Sequence, residues 1–256
     1  MFQWIQKHFF SALSGLFLTQ NAWAESSINM PYGVTPMSHD IYNLHMITFY
    51  ICCAIGVVVF SVLFYSIYKY RRSRGAKAAN FHEHPGVEIA WTLIPFLILV
   101  GLAIPATIVL KDIHNTNESD LIIKITGYQW KWQYEYLDQG ISFFSTLSTP
   151  QAQIDNPKEA KDQWFLLEVD NPLVIPVNKK VKILVTSNDV IHDWWVPAFG
   201  VKQDAIPGYI NENWIEVDKP GTYRGQCGEL CGAYHGFMPI VVKAVSDDEF
   251  KQWVAE

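Results

Sequence analysis

Two uncharged apolar runs, residues 47–68 and 89–110, constrain this chain more than any other feature, because each is 22 residues long. A helix needs roughly 20 apolar residues to cross the hydrocarbon core of a bilayer. Both runs are therefore expected to span, as a hairpin. Pro95 and Pro105 fall in the second run, but neighbouring helices can satisfy the backbone groups that proline frees. Between the runs lie Lys69, Arg71, Arg72, Arg74 and Lys77. Positive loops of this kind stay in the cytoplasm, which puts residues 25–46 and 111–256 on the outer side.

Residues 1–24 differ in kind. Lys7, a short apolar run over 9–18 and Ala22-Trp23-Ala24 have the layout of a secretory signal peptide, with cleavage expected after Ala24. Three regions follow: a signal peptide (1–24), a segment with the transmembrane hairpin (25–110) and an external domain (111–256). The charge is divided just as unevenly. Residues 111–256 hold 13 Lys and Arg against 21 Asp and Glu, a net −8, and the rest of the chain is +2. An acidic external domain argues against nucleic acid and for a basic partner steered by the field.

From Leu121 the pattern turns to short apolar or alternating runs broken by turn residues. Strands are expected over 121–125, 129–136, 164–169, 181–186, 214–217, 222–225 and 240–245. Residues 139–163, rich in Ser, Gln, Asn and Asp, look like a long connection. Ser246 and Glu249 form a capping-box signature, with Phe250, Trp253 and Val254 at helical spacing behind it. The fold class is membrane-anchored all-β: a two-helix hairpin followed by a sandwich or barrel and a short terminal helix.

Within that domain, residues 227–238 hold Cys227, Cys231, His235 and Met238, and His192 precedes them in an earlier segment expected to be a loop. Thiolates, imidazoles and a thioether are soft ligands that favour copper over magnesium or calcium. A mononuclear blue copper site needs one Cys. The second Cys allows two thiolates to bridge two metals, which would share one electron and lower the reorganisation barrier. A Cys227–Cys231 disulfide is the plain alternative in an oxidising compartment. Cys52 and Cys53 lie inside the first span and are expected to pack as small hydrophobes.

A cupredoxin-like domain behind two spans, with these motifs, resembles subunit II of haem-copper cytochrome c oxidases. The matching stretches are Val87-Glu-Ile-Ala-Trp-Thr92 with Pro95, Tyr128-Gln-Trp-Lys-Trp132, Asp189-Val-Ile-His192, Lys202-Gln-Asp-Ala-Ile-Pro-Gly208 and residues 225–239. The resemblance implies a binuclear copper A (CuA) centre, with Cys227 and Cys231 as bridging thiolates and His192 and His235 as terminal ligands. Met238 would be a weak axial donor, and the Glu229 backbone carbonyl a further one. The Glu229 side chain would ligate Mg²⁺ or Mn²⁺ shared with subunit I. Trp130 would receive electrons from cytochrome c, with Glu135, Asp170 and Asp189 facing the basic rim of that donor. Lys131 stands where many members carry an aromatic residue.

Glu88 would mark a proton entrance into subunit I, and Lys202 and Asp204 would help fix the face toward that subunit. The function so implied is electron entry: cytochrome c reduces CuA, which passes electrons to haem in subunit I. There oxygen is reduced to water with proton pumping. The chain alone would have no oxidase turnover, and its place would be the bacterial inner membrane, with the C-terminal domain in the periplasm. Related quinol oxidase subunits lose the copper ligands, whereas all five ligand side chains stand here. A thioredoxin-like copper chaperone would alternate helices with strands, which this sequence does not.

Overall fold

The two apolar runs become the cores of two longer helices in the computed structural model, which describes residues 29–80, 82–156 and 158–256. The segment read as a signal peptide, 1–24, lies outside the described residues. Helix α1 is Pro36–Lys69 and helix α2 is Pro85–Ile113. At 1.5 Å per residue they are about 51 and 44 Å long, more than the roughly 30 Å that lipid tails occupy. The excess follows from capping. Thr35 Oγ1 accepts from Ser38 N–H and Ser38 Oγ accepts from Thr35 N–H, each at 3.0 Å, and Pro36 supplies the first-turn φ. In α2 the cap is His84, whose Nδ1 accepts from Val87 N–H, while Glu88 accepts from His84 N–H at 2.8 Å. Both helices expose apolar side chains on all sides, as spans facing lipid or a partner do.

The start of α1 is tied to the external domain. Val34 N–H donates to Ala198 O, Asp218 N–H to Val34 O, and Thr35 Oγ1 to Phe199 O at 2.7 Å. At the end of α2, Trp214 Nε1 donates to Asp112 O at 2.9 Å. Residues Tyr32–Glu256 form one compact unit.

The domain is two five-stranded sheets. The strands are β1 Leu121–Tyr128, β2 Lys131–Tyr136, β3 Ile141–Ser145, β4 Leu173–Pro176, β5 Val181–Ser187, β6 His192–Val196, β7 Val201–Ala205, β8 Asn211–Ile215, β9 Gly221–Cys227 and β10 Pro239–Val245. One sheet runs β3-β2-β1-β5-β8 and the other β4-β10-β9-β6-β7. Most neighbours are antiparallel, but β1–β5 and β4–β10 are parallel. This crossed-over sandwich is the cupredoxin-like architecture. The period-2 alternation of β2 and β5 explains the core: Trp132, Tyr134, Ile183 and Val185 are wholly buried. Each buried aliphatic side chain contributes roughly 1.5–3 kcal/mol. Tyr136 links the sheets through its hydroxyl, which donates to Val174 O (2.6 Å) and accepts from Val174 N–H (3.0 Å). Burial pushes its ionisation well above the ordinary tyrosine range.

Several strand expectations change. Residues 164–166 lie in a turn and 167–168 are irregular, with only Val169 bridging to Leu147. Trp164 instead lies under the Arg224 guanidinium at 3.6 Å, and Leu166 takes a left-handed φ of 62°, which no ladder accommodates. Residues 139–163 are not merely a connection, since they contain β3 and a one-turn helix, α3 (Gln151–Asp155). The terminal helix α4, Asp247–Ala255, starts at the capping box formed by Ser246 and Glu249.

Candidate metal centre

His192 is the first residue of β6, not a loop residue, and is fully buried. Its Nε2 lies 2.8 Å from Asp189 Oδ1 and its Nδ1 lies 3.9 Å from Cys227 Sγ. A carboxylate on Nε2 fixes the tautomer that leaves the Nδ1 lone pair facing the thiols. Gly127 on β1 makes room for the ring: a Cβ there would sit 2.8 Å from His192 Cδ2.

Cys227 ends β9, and its N–H donates to Met238 O at 3.1 Å, closing the loop on itself. Across this loop Cys227 Sγ lies 3.3 Å from Glu229 O and 3.8 Å from Cys231 Sγ. Cys231 Sγ is in turn 3.5 Å from His235 Nδ1 and 4.0 Å from Met238 Sδ. A disulfide needs sulfurs about 2.05 Å apart, and all four described cysteines are free. Cys52 and Cys53 are exposed on the α1 surface rather than packed within the chain. The donor atoms of His192, Cys227 and Cys231 all lie within 4.8 Å of one another. Burial, and then the neighbouring Cys227, push the Cys231 thiol up to about 12. Two thiols crowded in a dry pocket, with two imidazoles and a thioether beside them, fit a soft cation.

Trp130 is not on a strand face. The alternation of β2 begins one residue later, and Trp132, Tyr134 and Tyr136 take the buried positions. Trp130 sits in the β1–β2 turn after a cis Gln129–Trp130 peptide, half-buried, where Nε1 donates to Cys231 O at 3.2 Å. Gln129 Nε2 donates to the same carbonyl at 2.8 Å, and the Tyr234 ring crosses Trp130 edge-on at 4.9 Å. Sequence reasoning gave Gln129 no role, although it lies inside the motif around Trp130, and missed Gly127, which adjoins it.

The three acids expected to face a donor protein each have an internal partner. Glu135 pairs with Lys124 at 2.8 Å. Asp170 accepts from Thr146 N–H, Thr146 Oγ1 and Asn171 N–H, each at 2.7 Å. Burial alone would raise its ionisation, but these bonds outweigh burial and hold it below the usual range. Asp189 takes His192 and Val190 N–H on Oδ1 and Gln129 N–H on Oδ2, and it too is held low against the effect of burial. Lys131 lies over the Phe144 ring at 4.1 Å.

Glu229 is exposed at the loop tip beside Leu230. Lys202 and Asp204 lie on β7, where Asp204 faces Asp193 across the ladder. Asp193 is pushed up to about 7, first by burial and then by Asp204, with Lys202 pulling the other way. Glu88 is in the first turn of α2, at the end of the helix away from the domain, and the structure does not bring it to the cluster.

Fold and cluster together define a membrane-anchored cupredoxin-like protein with a His/Cys/Cys ligand set compatible with copper. Family models for the cytochrome c oxidase subunit II periplasmic domain and transmembrane domain match residues 121–245 and 23–109. A probable cytochrome c oxidase subunit 2 of Rickettsia felis is 39% identical over 246 residues, 94% of this chain and 76% of the relative. Cytochrome c oxidase subunit 2 of Cereibacter sphaeroides is 39% identical over 234 residues, 87% of this chain and 77% of the relative. Among solved structures, the periplasmic domain of subunit II (CoxB) of Bradyrhizobium japonicum aligns with a TM-score of 0.48 at 47% identity, covering 55% of this chain and 94% of that one. The chain belongs to the cytochrome c oxidase subunit II family.

Proposed function

We propose that this chain is the electron-entry subunit of a cytochrome c oxidase, accepting electrons from cytochrome c and delivering them to haem in subunit I. Oxygen reduction and proton pumping take place in that partner. The membrane is the bacterial inner membrane, with the domain in the periplasm. The observation that carries this reading is the convergence of Cys227, Cys231, His192, His235 and Met238, with the Glu229 carbonyl, around one small volume. When bound there, a copper pair supplies a one-electron carrier.

The residues have distinct tasks. Cys227 and Cys231 would hold the copper through their thiolates, His192 and His235 through Nδ1, and Met238 through its thioether. Asp189 orients His192. Trp130 reaches the surface on one side and hydrogen-bonds the Cys231 carbonyl on the other, which suits it to receive electrons. Glu229, exposed beside the cluster, offers its carboxylate to Mg²⁺ or Mn²⁺ shared with subunit I, a hard cation that oxygen ligands suit. Glu88, at the opposite end of α2, is the proton-channel entrance. Glu135, Asp170 and Asp189 contribute to an acidic donor-docking face, with the Glu135 charge offset by Lys124.

The test is spin resonance on the full-length, copper-loaded protein in detergent. The expected signal is one unpaired electron spread over two copper nuclei. A single-copper hyperfine pattern would refute the dinuclear reading.

A further inference from the structure

The strands of the β3-β2-β1-β5-β8 sheet carry five charged residues: Lys124, Lys131, Lys182, Glu135 and Glu212. All five alternate with the buried core positions and so stand on the outer face of the sheet. Four of them cancel in pairs, Lys124 with Glu135 at 2.8 Å and Lys182 with Glu212 at 2.7 Å. Lys131 closes no ion pair among the described residues. The outer face of this sheet is therefore left with one positive charge, although residues 111–256 together carry −8.

That charge belongs to the residue directly after Trp130, and the sheet register explains where it rests. Lys131 on β2 lies opposite Tyr128 of β1, and Phe144 of β3 lies opposite Gln133, two residues along β2. Diagonal neighbours of this kind are within reach of a long side chain. The ammonium sits 4.1 Å from the centroid of the Phe144 ring and 5.9 Å from that of Tyr128, and the two rings meet edge-on at 5.5 Å. Phe144 is 40% exposed, so this aromatic seat is at the surface, where a docking protein can meet it. A cation attracted to ring faces is restrained to one place. A restrained charge at a docking face discriminates by repulsion as well as by attraction.

We propose that Lys131 is a specificity-determining residue for the electron donor. It selects against a c-type cytochrome whose haem edge is ringed by lysines alone, and for one that presents a carboxylate there. This rests on Trp130 being the point of electron entry, as proposed above. Acids elsewhere on the domain still steer a basic donor at long range; Lys131 acts at contact.

The experiment uses the full-length, copper-loaded protein in detergent and two donors, a lysine-rich cytochrome c of high isoelectric point and an acidic c-type cytochrome. Binding of the oxidised donors is measured directly, and electron uptake from the reduced donors by stopped flow. Lys131→Met keeps the apolar stem over Phe144 and removes the charge; Lys131→Glu reverses it. At low ionic strength Lys131→Met is expected to tighten binding of the basic donor by roughly 2–5-fold and to weaken the acidic donor by a similar factor. Lys131→Glu should do both more strongly. The differences should fade as salt is raised, since exposed charges are screened, and uptake at saturating donor and copper absorption should stay as in the parent. If the preference between the two donors is the same in parent and variants, or if both donors shift in the same direction, the inference falls. Trp130→Leu tests the entry point separately: it should slow uptake from both donors at saturation. If it does not, the Trp130 reading falls, while the binding preference still decides the role of Lys131.

Discussion

Replacing Asp189 with Asn tests how the protein holds its first imidazole. Asp189 Oδ1 accepts from His192 Nε2–H at 2.8 Å and Val190 N–H at 2.7 Å, while Oδ2 accepts from Gln129 N–H at 2.8 Å. Asparagine keeps the shape but replaces one oxygen with a donor, which must then face either the imidazole or the Gln129 N–H. A hydrogen bond to a charged group contributes about 1.5–3 kcal/mol, and losing such a partner of a metal-ligating histidine costs roughly 10–100-fold in metal affinity. The Asp189 side chain is 29% exposed, so solvent screens the interaction only in part. Copper affinity of the full-length protein, measured by chelator competition, should fall by that factor. Because its ionisation is held below the ordinary range, the parent's advantage should persist above the usual carboxylate range. It should disappear as pH falls through the lowered value. A residue serving only to dock cytochrome c would change the KM for the donor and leave copper affinity alone; that result would refute the orientation argument.

Trp130→Leu should slow electron uptake from cytochrome c without changing copper absorption, measured by stopped-flow reduction; an unchanged rate removes its role. Tyr136→Phe strands the Val174 N–H and C=O between the sheets, and should cost roughly 1–3 kcal/mol in thermal or denaturant unfolding. Copper loading should release the Cys231 thiol proton near neutral pH, because that thiol is held up to about 12. Apparent affinity should therefore rise with pH below that value, and loading without proton release would contradict it.

The spans were legible because lipid admits only unbroken apolar runs or closed barrels. The helix ends were not, since α1 gains its first turns from Thr35 and Ser38 caps that hydropathy does not register. The Cys, His and Met residues of the cluster were legible because four of them crowd into twelve positions. Trp130 was placed on a strand with Trp132, Tyr134 and Tyr136 because the alternation runs through all four, yet the chain turns between Gln129 and Trp130. Glu135 and Asp170 looked free because their partners arrive through sheet register and turn geometry, from Lys124 and from Thr146. His192 looked like a loop residue because β6 is only five residues long and the adjacent polar pair His192-Asp193 followed by Trp194-Trp195 shows no period-2 alternation.

The domain is moored to the membrane hairpin at two separate places: the capped start of α1, against Ala198, Phe199 and Asp218, and the end of α2, through Trp214. A head held by one tether can swivel; one held by two keeps a single bearing. In the electron-entry role proposed above, a swivelling head would vary the distance from the cluster to its partners from one encounter to the next. Double mooring turns the hairpin from an anchor into a mount that sets the bearing of the cluster relative to the two spans.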